Sequence, residues 1–90
     1  MSQFKLQHFR IFLNMAGKQY RDQKYLIALG NRIRLIREDK KWSQEYFSNI
    51  CDIEIRQLGR IERAETNSTI SIIKKIADSL EINLSELLNF

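Results

Sequence analysis

Trp42-Ser43-Gln44-Glu45-Tyr46-Phe47-Ser48-Asn49-Ile50-Cys51-Asp52-Ile53-Glu54-Ile55-Arg56-Gln57-Leu58-Gly59-Arg60-Ile61-Glu62 reads as two short helices joined by a tight turn. The Ser43 hydroxyl is placed to accept from the free amides of a first turn, and Glu45 sits near the positive end of the helix dipole. The pattern predicts a helix over about 43–50, with Phe47 and Ile50 on its buried side and Trp42 packing at its entry. Asp52 and Ile53 make the turn. A following helix over about 55–62 is anchored by Leu58 and Ile61, three residues apart. Arg56 and Arg60 are four apart and share the opposite face of that helix.

Working outward, Leu26, Leu29, Ile33 and Ile36 recur at helical steps and predict a helix over 22–39 with Asp22 as its cap. Downstream, a polar stretch from Arg63 to Ser68 precedes Thr69, which caps a helix over about 70–80 with Ile70, Ile73, Ile76, Ala77 and Leu80 on one stripe. Asn83 and Glu86 have the spacing of a capping box and open a short fifth helix carrying Leu84, Leu87 and Leu88. The reading is all-α: a compact five-helix domain over residues 22–90, preceded by an N-terminal extension over 1–21. Within that extension Phe9, Ile11, Leu13 and Met15 alternate, which favours a short strand over an extra helix. Its apolar content suits covering the core or meeting another chain.

Composition narrows the class. Ninety residues suffice for one core, and a chain without proline and with three glycines favours helices over a sandwich or barrel. Cys51 is the single cysteine, which excludes an internal disulfide and points to a reducing, cytoplasmic setting. No apolar run is long enough to cross a bilayer, and Arg10 and Asn14 interrupt the one stretch with a signal-like character. The net charge of +4 is unevenly spread. Residues 1–42 carry ten Lys/Arg against three Asp/Glu, and residues 43–90 carry five against eight. Such polarity suits a polyanionic partner and equally suits solubility alone. His8 has no metal-ligating companions at useful spacing, and the sequence holds no nucleophile elbow or phosphate-cradling glycine loop. Neither catalysis, nor a metal, nor a cofactor is expected.

Two short helices at this spacing allow the first to cross a phosphate backbone while the second lies in the major groove. The sequence resembles the lambda-repressor-like helix-turn-helix family, the Cro-type or XRE-type transcriptional regulators. The likeness runs from about Leu29 to Leu88. It is carried by Leu29-Gly30-Asn31-Arg32-Ile33-Arg34-Leu35-Ile36-Arg37, Trp42-Ser43-Gln44-Glu45, Leu58-Gly59-Arg60-Ile61-Glu62-Arg63, Ile73-Lys74-Lys75-Ile76-Ala77 and Leu84-Ser85-Glu86-Leu87-Leu88.

The resemblance implies double-stranded DNA as partner, with base contacts at Ile55, Arg56, Gln57 and Arg60. Chemistry agrees, because arginine can take guanine O6 and N7 together, glutamine can read adenine and isoleucine can pack on a thymine methyl. Gln44, with Ser43 at the helix N-terminus, is the expected phosphate anchor. Asn67, Ser68 and Thr69 are expected to offer amides to phosphate, with Ser68 where the family often has proline. Glu62 is expected to pair with Arg37. Cys51 matches a small buried core position. Asp52 and Ala64 stand where the family usually has glycine, at some conformational cost. Glu54 departs from the short polar cap usual at its position. It could accept from a cytosine amine, repel phosphate or hold Arg56.

A domain this small reads about half a site, so the resemblance and geometry together imply a homodimer on a palindromic operator. The family's dimer surface near the C-terminal helix would correspond to Leu84, Leu87, Leu88 and Phe90. The size also resembles that of restriction–modification controller proteins and small phage repressors. The second reading is an antitoxin-like or adaptor module on the same fold, with the N-terminal segment devoted to a protein partner and no membrane involved.

Overall fold

The computed structural model describes residues 20–90. The expected strand or helix within 4–15 lies outside the described residues. Those that are described form five α-helices and no strand: α1 (Gln23–Asp39), α2 (Gln44–Cys51), α3 (Ile55–Glu62), α4 (Ile70–Ser79) and α5 (Leu84–Leu87). Three starts follow from side-chain caps. Asp22 accepts from the Tyr25 N–H, Ser43 from the Tyr46 N–H and Thr69 from the Ile72 N–H, each satisfying an otherwise orphaned first-turn donor. The capping box expected at α5 does not form, because the Asn83 side chain makes no cap hydrogen bond.

Four of the five helix ends share one device. Lys41, Asp52, Ala64 and Glu81 all adopt positive φ, between 57° and 62°. After each, the next residue's N–H bonds back across the last turn: Trp42 to the Arg37 carbonyl, Ile53 to Ser48, Glu65 to Arg60 and Ile82 to Ala77. These are Schellman closures built without glycine. In three of them the closing residue (Trp42, Ile53 or Ile82) packs on the core, so apolar burial offsets the left-handed strain.

The core gathers Leu29 and Ile33 of α1, Phe47 and Cys51 of α2, Leu58 and Ile61 of α3, Ile73, Ile76 and Ala77 of α4, and then Leu80 and Leu87. Burial pushes the Cys51 thiol above its ordinary pKa. Ile50 departs from expectation. It is 41% exposed, and the inner side of α2 is formed instead by Phe47, Ser48 and Cys51. Ser48 is buried because its hydroxyl donates to the Glu45 carbonyl, which meets its hydrogen-bonding need within the helix. Leu87 also departs. It is fully buried, since the four-residue α5 closes the core against α1 and α4. It is therefore a core residue and not part of an exposed dimer surface.

Candidate nucleic-acid interface

α3 presents two unlike faces. Leu58, Gly59, Ile61 and Glu62 are buried, whereas Ile55, Arg56 and Arg60 are exposed and Gln57 is half-buried. Neither Arg56 nor Arg60 forms an ion pair among the described residues. Their guanidinium groups keep their donors for a partner outside the domain. Glu54, the N-cap residue of α3, makes no side-chain cap bond and is exposed. It lines a shallow groove with Glu45, Asn49, Ile55 and Arg56, so the entry of α3 carries negative charge beside the arginine face.

The buried side holds α3 through polar as well as apolar contacts. Arg37 Nε donates to Glu62 Oε2 at 2.8 Å and Arg37 Nη2 donates to Oε1 at 3.0 Å, a bidentate pair. The two side chains are 11% and 2% exposed. The hydrogen bond to Glu62 holds the Arg37 guanidinium above its ordinary pKa. Arg37 Nη1 also donates to the Trp42 carbonyl at 2.7 Å, fastening the α1–α2 turn to the same group. The expected ion pair is present in this geometry.

Gln44 joins that network. Its Nε2 donates to Glu62 Oε1 at 3.0 Å, so the side chain expected to hold a phosphate is itself held by the buried carboxylate. Nε2 keeps a second hydrogen for an external acceptor. The Ser43 hydroxyl is engaged as the cap, and the Gln44 and Glu45 amides have no backbone partner among the described residues. The start of α2 is therefore a compact donor set suited to an anion.

The loop between α3 and α4 forms a further donor set. Thr66, Asn67 and Ser68 take no part in backbone–backbone hydrogen bonds among the described residues, leaving their amides free. Thr69 Oγ1 is used in capping α4, and Asn67 Nδ2 donates to the Tyr20 carbonyl at 2.9 Å. Of the proposed dimer residues, Leu84 and Leu88 are partly buried against the core, while Phe90 is 49% exposed with its ring 4.9 Å from that of Tyr25.

One residue that positions the interface was not singled out from sequence. A Cβ on Gly30 would lie 2.6 Å from the carbonyl oxygens of Ile61 and Glu62. Glycine in mid-helix lets α1 approach the backbone at the end of α3 that closely. An isolated glycine inside a helical pattern was the available signal, since it costs about 1 kcal/mol relative to alanine and invites a packing reason.

Fold and site together define a helix-turn-helix DNA-binding domain, with α2 and α3 as its two helices. The HTH_3 helix-turn-helix family profile matches residues 33–87. The chain belongs to that family, the lambda-repressor-like XRE group of DNA-binding transcriptional regulators, whose members are not enzymes. The uncharacterized HTH-type transcriptional regulator YazB of Bacillus subtilis is 40% identical over 58 residues, covering 64% of this chain and 84% of that protein. The restriction-modification controller protein C.AhdI from Aeromonas hydrophila superposes with a TM-score of 0.67 at 32% identity, over 69% of this chain and 94% of its own. The hypothetical transcription factor NHTF from Neisseria superposes with a TM-score of 0.69 at 30% identity, over 78% of this chain and 82% of its own. No described helix is long and apolar enough to cross a membrane.

Proposed function

We propose that this regulator binds a palindromic operator sequence-specifically as a cytoplasmic homodimer, inserting α3 of each copy into the major groove. The observation that carries the reading is the outward face of α3, where Arg56 and Arg60 are exposed and unpaired on a helix held rigidly from behind. Arg56 and Arg60 take guanine edges, Gln57 an adenine and Ile55 a thymine methyl. Gln44 and the Ser43 end of α2 hold one phosphate, and the amides of Asn67, Ser68 and Thr69 hold another. Phe90, with the exposed edges of Leu84 and Leu88, forms the dimer contact. Two copies then present their recognition helices about one helical turn of DNA apart.

Gel-shift titration against genomic fragments at two salt concentrations tests this reading. One preferred sequence and a steep loss of affinity with salt are expected. Equal, weak binding to every fragment would overturn it. On the preferred duplex, Gln44→Ala should weaken binding to all sequences alike, as a phosphate contact does.

A further inference from the structure

Tyr20, Arg21 and Gln23 lie far in sequence from the α3–α4 loop yet are bonded to it. Arg21 Nη2 and Gln23 Nε2 both donate to the Ala64 carbonyl at 3.0 Å. Arg21 Nε donates to Gln23 Oε1 at 3.1 Å, so the two side chains brace each other. Asn67 Nδ2 returns a bond to the Tyr20 carbonyl. Three hydrogen bonds thus span the two ends of the loop segment Ala64–Asn67 from outside it.

That segment has little else to fix its course. Ala64 stands at φ 59°, a conformation costly for an L-residue, and the loop contains neither glycine nor proline to preset its backbone. Unlike the other three Schellman closures, this one ends on a polar residue, Glu65, so the only apolar anchor at this end is the small buried methyl of Ala64. Glu65 turns outward to pair with Arg63. The free amides of the loop can hold a phosphate only if the loop keeps its place.

We propose that Tyr20, Arg21 and Gln23 form a positioning strap for the loop, setting Asn67, Ser68 and Thr69 against a DNA phosphate. The strap supplies from outside the restraint that the loop sequence lacks. Arg21 and Gln23 are positioning residues in this role, acting on DNA through the Ala64 carbonyl. The inference rests on the operator-binding reading above and adds to it residues that precede the helix-turn-helix itself.

The decisive variant is Gln23→Met, made in the full chain. It removes a donor at nearly constant volume and leaves the net charge unchanged, so it cannot alter DNA affinity through electrostatics. Affinity is measured on the preferred duplex and on duplexes in which single phosphates are replaced by neutral methylphosphonates. In the wild type, one replacement beyond the α3 footprint should lower affinity about five-fold, with the preferred sequence unchanged. Gln23→Met should cost a similar factor on the native duplex and should add little on the duplex already neutralised at that phosphate. Arg21→Lys, which keeps the charge but loses the guanidinium's paired donors to the Ala64 carbonyl and Gln23, should show the same coupling. Thermal unfolding of both variants within a few degrees of wild type removes a folding explanation. Wild-type affinity in Gln23→Met, or losses that multiply independently of the phosphate, overturns the strap and leaves operator binding intact. Failure of the wild type itself to prefer any duplex overturns the operator reading and the strap with it.

Discussion

The inner and outer faces of α3 differ in how far their polar groups are already committed. Inside, the Glu62 carboxylate accepts from Arg37 Nε, Arg37 Nη2 and Gln44 Nε2, tying three helices together. Outside, Arg56 and Arg60 hold no ion pair among the described residues. The difference separates two tasks that share eight residues. Saturating the buried groups fixes where the helix points, and leaving the exposed groups unsatisfied keeps their donors available for the base contacts proposed for them. A donor already paired within the protein would have to break that bond before reading DNA.

Changes on the inner face should therefore register first as stability, and changes on the outer face as specificity. Glu62→Ala leaves the largely buried Arg37 with only the exposed Glu38 carboxylate, 4.0 Å away, as counter-charge, and should cost roughly 3 kcal/mol in urea unfolding. Gly30→Ala forces a methyl against two backbone carbonyls that cannot move independently of α3. Its expected cost is about 1–3 kcal/mol, accompanied by weaker DNA binding because α3 is displaced. Arg56→Ala and Arg60→Ala should each leave unfolding within about 0.5 kcal/mol of wild type while losing roughly 1–3 kcal/mol of discrimination at one base pair. If either arginine change lowered stability as much as Glu62→Ala does, the division between the faces would fail.

The smallest expected effect is a gain. Glu81 is exposed at φ 61°, so Glu81→Gly should raise stability by about 0.5–1 kcal/mol in the same urea titration. Ala64 has a similar φ, but its methyl is buried at 3% exposure, and glycine there would lose that packing. The two positions show that a left-handed φ alone does not set the sign of a glycine substitution.

Much of this was legible in the sequence, for identifiable reasons. Asp22, Ser43 and Thr69 cap the helices they were expected to cap, because short polar side chains before an apolar period leave few other roles. The span of α3 and the Arg37–Glu62 pair were also anticipated, the latter from family resemblance. Ile50 was misassigned because hydrophobicity alone marks the inner face, whereas α2 buries Ser48, whose hydroxyl is satisfied locally. Leu87 was misassigned because an apolar residue near a terminus suits a dimer surface as well as a short closing helix. The charged run Asp39-Lys40-Lys41 marked the turn after α1, but the left-handed φ of Lys41 and the turn at Glu81 had no glycine or asparagine to announce them. Their clue was the apolar residue after each, Trp42 and Ile82, which anchors the Schellman closure. The bonds from Arg21 and Gln23 to Ala64 were not legible, since they join positions more than forty residues apart through side chains of no special pattern.

Binding-site selection from a randomised duplex pool, run in parallel for the wild type, Arg56→Ala and Arg60→Ala, tests the assignment of α3 as the reading element most directly. The wild type should enrich one sequence, and each variant should lose preference at one or two base pairs per half-site while keeping the rest. Enrichment of the same sequence with undiminished preference by both variants would contradict the account, because base reading would then lie elsewhere on the domain.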